Sequence, residues 1–349
     1  MNSYRIVSIC ALSAALASTS LSFAYAFPEC LPNSEGKWET LSPLGMGLRQ
    51  EHAAAAIDRK IYVVGGIVPM ENSSIVTINT MEAYDLDSDT WTPAAPLPVP
   101  VNHPNIASTG GKLYSLGGLS GNINGSFWGL TDAFEYDPLA DAWSALPPLP
   151  EGTGRGSSVV GVYRDEIILA GGVSRIEQAL NGIQDTVATV SAYNVKKRTW
   201  RFLPSLPEGR EHAGGAVIGQ NFYVVGGRIK GPQNNRDTVF VLSLKMWTWS
   251  ERRPMPTARG GISVAAVRDR IYAFGGENSD QSTGFVHNET EVYNVPGDCW
   301  ESLEPMALPR HGFAAVAVGG AIYTPGGGLR NFGFSDQLQA FHPGDNRGH

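Results

Sequence analysis

The chain has 349 residues, with 26 Lys and Arg against 33 Asp and Glu, a formal charge of −7 at pH 7 and 42% apolar residues. Its basic residues are scattered, so neither nucleic acid nor an anionic membrane surface is an expected partner. Length alone suggests two domains, but repeats that run unbroken from Trp38 to Phe341 favour one all-β unit over residues 27–349.

The first segment reads as a secretory signal peptide over residues 1–26. Arg5 precedes an apolar, Ala/Ser-rich stretch from Ile6 to Phe23, and Ala24-Tyr25-Ala26 supplies a small-x-small cleavage site. Ser8, Ser13, Ser18, Thr19 and Ser20 interrupt the stretch, which makes it a poor membrane span. No later segment is apolar enough to cross a bilayer, so a secreted or periplasmic monomer is expected after cleavage. Loss of Cys10 with the leader leaves Cys30 and Cys299, an even pair that in an exported protein reads as a disulfide.

From there a Gly-Gly pair recurs six times, at Gly65-Gly66, Gly117-Gly118, Gly171-Gly172, Gly226-Gly227, Gly275-Gly276 and Gly326-Gly327, in steps of 49 to 55 residues. Each pair follows a short apolar run such as IYVV, FYVV or IYAF. A strand before a glycine pair at a period near 50 predicts the blades of a six-bladed β-propeller, because a lone four-stranded sheet cannot bury both of its faces. In the first unit HAAAAI is strand a, IYVV strand b, MEAYDL strand c, and strand d begins at Trp91. The units fall at about 49–100, 101–154, 155–209, 210–258, 259–309 and 310–341. A Trp opens each outer strand 26 to 28 residues before the next glycine pair, at positions 38, 91, 143, 200, 249 and 300. The sixth unit has no Trp of its own and the first has Trp38 in front of it. The segment 36–44 is therefore expected to complete the last blade and close the ring, which removes a free sheet edge. Closure brings Cys30, eight residues before Trp38, towards Cys299, one residue before Trp300.

The glycine pairs, the strand-c tyrosines Tyr84, Tyr136, Tyr193 and Tyr293, and the spaced tryptophans together resemble the kelch repeat family over residues 38–341. Val241 takes the tyrosine's place in the fourth unit, and Phe341 stands near it in the sixth. The resemblance implies a kelch propeller.

In such a ring the long, dissimilar b–c loops, including 67–80, 119–132, 173–190 and 277–290, share one face with the d–a links, and that face is the expected binding face. Sixteen residues before the glycine pair stand Arg49, Arg155, Arg210, Arg259 and Arg310, with Val101 in the second unit. One reading makes them a rim of carboxylate-binding donors at the channel mouth; the other has each satisfying carbonyls of its own blade, since Arg at this place belongs to the kelch pattern. His52, His103, His212 and His311 lie 13, 14, 14 and 15 residues before the pair. On a pleated strand these offsets point to opposite sides, so no metal site is expected. The run 85–89 lacks the glycine and the distal acid of a calcium loop. Asn72, Asn124 and Asn288 each open a glycosylation triplet. Of the loop aromatics Phe127, Trp128, Phe285, Phe332 and Phe334, Trp128 is the leading candidate for a ligand contact.

Two functions remain open. The first is an exported binding module for a protein or carbohydrate, with no cofactor. The second is an enzyme similar to the kelch-type sialic-acid mutarotases, whose pattern implies a Glu just after the fourth glycine pair and an Arg before a D-x-V-F-x-L strand. Arg236 in RDTVFVL matches the second element, but Arg228 stands where the acid belongs, and Glu277 is placed that way only in the fifth blade. A copper radical oxidase, also kelch-bladed, is disfavoured because Cys299 lies on the face opposite to the loops.

Overall fold

The computed structural model describes residues 30, 36–71, 74–123, 125–178, 182–279 and 284–344. The leader 1–26 and the triplet positions Asn72 and Asn124 lie outside them. Six antiparallel sheets are arranged about one axis, each ordered a-b-c-d from inside to outside. Blade 1 is typical, with strands Ala53–Ile57, Lys60–Val64, Met81–Asp85 and Thr90–Ala94. The burial gradient follows from the radial geometry. Strands b and c are covered by neighbouring sheets on both sides and are apolar and buried nearly throughout, whereas strand d is mostly exposed. Near the axis the sheets converge and the innermost strands carry small residues, as in AAAAI of blade 1 and GGAVI of blade 4.

The sixth blade takes its outer strand, Lys37–Leu41, from the amino terminus, pairing it with Gly333–His342 in a register that sets Trp38 against Phe341. Cys30 is bonded to Cys299 at a Cα separation of 5.9 Å, fastening the same segment to blade 5 across 269 residues. A closure of this kind contributes about 2–4 kcal/mol.

Two rings of hydrogen bonds tie each blade to the next. The N–H of every second glycine donates to the carbonyl of the residue at the arginine position one blade on, at 2.7–2.9 Å, and the ring closes with Gly327 to Arg49. That approach explains the glycine pair: at Gly171, with φ +65°, a Cβ would run into the Arg210 carbonyl. Further out, each repeat tryptophan donates its indole N–H to a carbonyl of the preceding blade at 2.8–3.2 Å, closing with Trp91 on Ser42 and Trp38 on Glu304.

The loop face carries added pairing in blade 1, where Ile67–Pro69 pairs with Ile75–Thr77, in blade 6, where Ala321–Leu329 and Gly333–His342 form a long hairpin, and most extensively in blade 2. In blade 2 strands b and c lengthen to 12 residues each, Lys112–Ile123 and Ser126–Asp137, and the end of this hairpin pairs with Val173–Glu177 from the b–c loop of blade 3. Phe127, Leu119, Val173 and Ile176 are buried there with Ile67, and Phe334 packs against them.

Candidate functional site

Fourteen residues before each glycine pair the chain leaves the strand geometry. Glu51, His103, Ser157 and His212 have φ of +49° to +54°, and glycine takes the same place in the last two blades at Gly261 and Gly312. The six backbones link head to tail around the axis. His103 N–H donates to Glu51 O, Ser157 to His103, Gly261 to His212, Gly312 to Gly261 and Glu51 to Gly312, at 2.7–3.0 Å. The sixth link runs from His212 N–H to Ser157 Oγ at 3.1 Å. The left-handed turn throws each of these side chains towards the channel. A Cβ at Gly312 would collide with the Glu51 carboxylate, and one at Gly261 would crowd that of Glu277, so the glycines leave the acids room.

This geometry corrects the expectation that the histidines diverge. His103 and His212 share the offset of fourteen, so alternation separates them only from His52 and His311, and the positive φ at that position turns both side chains, with that of Glu51, to the axis. Their Nε2 atoms lie 3.0 Å apart, and Glu51 Oε2 is 3.0 Å from His103 Nε2. Among the described residues, Glu51, His103 and His212 bring ligand-type atoms within 4.8 Å of one another. His52, one residue further along, turns away and bonds to Pro325 O. His311 Nδ1 stands 3.8 Å from Glu51 and 3.9 Å from Glu277.

A second tier lies towards the loop face. The residues just after the glycine pairs read Ile67, Leu119, Val173, Arg228, Glu277 and Gly328, each bridged to the strand before it. Half of this tier is therefore apolar, and the other half holds two charged residues and a glycine. Arg228 is ion-paired to Glu277, donates to Gln184 Oε1 at 3.1 Å and reaches His212 Nε2 at 3.2 Å. Glu211 sits behind them, 3.3 Å from His212 Nδ1 and accepting from Thr186 Oγ1 at 3.0 Å. Burial works to raise the Glu277 carboxyl, but Arg228 and His311 outweigh it and hold the group below the usual range. Glu211 and Glu51 behave alike, each opposed by burial and held down by its facing imidazole, with Arg228 helping at Glu211. The His212 imidazole is pushed down by burial and by Arg228. These groups suit fixed carboxylates and a neutral imidazole, and Glu277 in its ion pair is a poor proton donor.

The arginines of the expected rim are placed inside the blades. Arg49, Arg155, Arg210, Arg259 and Arg310 are 0–1% exposed. Arg155 donates to Gly171 O, Thr153 O and Ser191 Oγ at 2.9 Å each, and Arg310 to Thr324 O, Gly326 O and Gln339 Oε1 at 2.6–2.8 Å. Arg49, Arg210 and Arg259 pair with Glu82, Glu208 and Glu291. All five are turned into the sheets, and each stands in the link four to six residues before its inner strand begins rather than at the expected strand start. Arg236 is apart from the axis, sharing Glu208 with Arg210.

Glu51 and Glu211 were not among the residues singled out from sequence, although Glu51 shares its offset with His103 and His212. Of the loop aromatics, Trp128 is 47% exposed with Arg175 over its ring at 5.4 Å, and Phe332 is 75% exposed against Phe285. Phe127 is buried. The axial ring encloses a cavity of about 140 Å³. Larger open depressions of about 500 and 670 Å³ occupy the turn face, lined by turn residues such as Arg164, Asp165 and Arg268, and hold no comparable cluster.

The Kelch motif matches residues 48–98, and the KLHDC2/KLHL20/DRC7 Kelch-repeats domain matches residues 181–327. Kelch-like protein terF of Aspergillus terreus is 37% identical over 311 residues, covering 86% of this chain and 67% of that protein. The chain belongs to the kelch-repeat family. Kelch-like protein 36 of Bos taurus is 26% identical over 261 residues, 74% of this chain and 41% of the relative. This kelch ring thus spans about two thirds of the first relative's length and about two fifths of the second's. The solved structure of YjhT superimposes with a TM-score of 0.72 at 15% identity, covering 88% of this chain and 98% of YjhT, a likeness of fold.

Proposed function

We propose that this kelch propeller is an exported binding protein that takes a protein ligand on the face carrying the b–c loops. The observation behind the reading is the distribution of exposed apolar side chains. Met46, Leu48, Met70, Ile75, Val76, Trp128, Ile183 and Phe332 belong to b–c loops or to the link entering blade 1, against Leu139 and Met246 on the turn face and Phe202 on the outer strand of blade 3. Aliphatic side chains around two presented aromatics suit a protein surface better than a sugar, which asks for convergent hydrogen-bonding groups around its stacking platform. Export is supported by the leader-like first 26 residues and by the Cys30–Cys299 bond.

Affinity capture from the culture fluid and envelope of the producing cell tests the reading. The native chain and a turn-face variant, Leu139→Ser with Met246→Ser, are expected to retain the same partner. A loop-face variant, Trp128→Ala with Phe332→Ser, is expected to lose it. Equal capture by both variants would end the proposal. Thermal stabilisation by sialic or galacturonic acid that disappears in Arg228→Gln would move the reading to the acidic-sugar alternative, which the Arg228–Glu277 pair at the channel mouth favours.

A further inference from the structure

We propose that Glu51 Oε2, His103 Nε2 and His212 Nε2 bind one divalent first-row transition-metal ion on the axis of the ring. The three residues come from blades 1, 2 and 4, at one repeat position, and are brought together by the closed ring. Two imidazoles and one carboxylate on one side of an ion, with open positions opposite, form a donor set typical of non-haem iron and also accepted by zinc and cobalt. Ligand atoms about 2.0–2.2 Å from a cation lie about 3–3.5 Å from one another. The two contacts at His103 Nε2 are already at 3.0 Å, and all three atoms fall within 4.8 Å, so a small inward movement of the Glu51 and His212 tips completes the set.

The outer partners orient both imidazoles for this use. Asn102 Nδ2 donates to Thr77 Oγ1 at 2.7 Å, which leaves Asn102 Oδ1 to accept the His103 Nδ1 proton at 2.6 Å. His103 Nε2 is then the lone-pair nitrogen. On the other side Arg228 Nη2 lies 3.2 Å from His212 Nε2 and can only donate, which places the lone pair of that ring on Nε2 as well, while Glu211 Oε2 stands 3.3 Å from Nδ1 without meeting it in hydrogen-bond geometry. Two Nε2 lone pairs facing each other at 3.0 Å repel, an arrangement relieved either by a proton on His103 Nε2, with Glu51 Oε2 also at 3.0 Å to accept it, or by a cation between the three atoms. A carboxylate or amide oxygen on the far nitrogen of a histidine is the usual support of a metal-bound imidazole. Arg228 Nη2 now reaches His212 Nε2, and an ion taking that lone pair leaves the guanidinium on Glu277 and Gln184.

Other features agree. The axial cavity of about 140 Å³ is below the several hundred Å³ of ordinary organic-ligand pockets but ample for an ion and its waters. Non-glycine residues held at positive φ carry a cost that persists where surrounding structure imposes it and that gathers at functional sites, and three of the four here are the proposed ligands. The glycines at the same position in blades 5 and 6 leave the remaining side of the ion open to water or a small ligand.

The test uses the full mature chain, stripped with chelator and then titrated with Co²⁺ and Zn²⁺. The expected result is one equivalent bound per chain, with zinc X-ray absorption showing two imidazole scatterers and at least one oxygen. His103→Gln, His212→Gln and Glu51→Gln should each weaken binding at least tenfold. Asn102→Ala should weaken it about 10- to 100-fold through the outer partner. His287→Gln and His342→Gln, remote from the axis, should bind as the native chain does. Failure of the native chain to take up either ion stoichiometrically, or an absorption spectrum without imidazole scatterers, would overturn the proposal even if the axial variants fold poorly. Unchanged binding in all three folded axial variants would do the same. Either outcome would leave the protein-ligand reading of the loop face untouched.

Discussion

Arg155 surrenders its water to four acceptors inside one blade: Gly171 O, Thr153 O, Leu169 O and Ser191 Oγ, at 2.9–3.3 Å. No carboxylate joins them, so burial pushes the guanidinium down to about 10 without an opposing charge, and its worth lies in the carbonyls it satisfies. Arg155→Met removes the charge and the guanidinium's hydrogen bonds, although Gly171 O keeps the Ser158 hydroxyl as a donor at 3.0 Å. The expected loss is about 1–3 kcal/mol of unfolding free energy, the range for leaving a buried acceptor without its donor, read by denaturant titration. A loss below about 1 kcal/mol would mean that the side chain is not buried as described. The same residue shows where sequence reading stopped. Its spacing set it at the start of an inner strand, whereas it stands in the link before that strand, and whether such an Arg faces the channel or a sheet depends on the twist at the strand's entry. Glu51, His103 and His212 were obscured in a similar way. The three share one offset and were legible as a set, but comparing the histidines with His52 and His311, one residue to either side, hid it, and the left-handed backbone that aims this position at the axis leaves no mark in the residue types.

The c–d turn repeats a small device in three blades. Tyr84, Tyr136 and Tyr293 donate their hydroxyls to Asp89, Asp141 and Asp298 at 2.6–2.7 Å, and each Asp also accepts a backbone N–H from the strand d end of the preceding blade, at Ser42, Ala95 and Arg253. In blade 3, Arg198 stands in the turn and Tyr193 loses the carboxylate; in blade 4, Trp247 stands there, and the register sets Leu242 against Trp249, so Leu242 and not the expected Val241 takes the tyrosine's place. The family's tyrosine is thus one end of an inter-blade clamp, which explains why both of its members change together in blade 4. The Tyr84 hydroxyl, ahead of the Ser42 amide, holds the Asp89 carboxyl below its ordinary value. A folded-state value below the unfolded one contributes stability that is present above about pH 3.9 and lost as the pH falls through the folded value. Tyr84→Phe should lower stability by about 1 kcal/mol at pH 7 and flatten the decline of Tm between pH 4 and pH 2. A decline as steep as the native chain's would show that the hydroxyl does not set the Asp89 charge. The lengthened hairpin of blade 2, paired with the loop of blade 3, was legible only as two long loops, since pairing between residues some fifty positions apart leaves no periodic trace.

For the whole molecule, six markers at a near-constant period were enough to define blade number, closing strand and cysteine partner, because each marker sits at a blade-to-blade contact that repeats around the ring. Function is written at positions where the repeats differ. The axial position reads Glu, His, Ser, His, Gly, Gly, and the next tier reads Ile, Leu, Val, Arg, Glu, Gly, so a ring of near-identical sheets carries an asymmetric centre. That centre exists only if the first described strand pairs with the last in the stated register, since an open ring would separate Glu51 from Gly312. Lys37 and His342 are direct partners across this seam and both are exposed. The decisive measurement is a non-reducing peptide map of the Lys37→Cys, His342→Cys double variant after mild oxidation. A closed ring predicts an intramolecular bond between positions 37 and 342 in monomeric protein, beside Cys30–Cys299. Free thiols at both positions, or a bond that joins two chains, would contradict it.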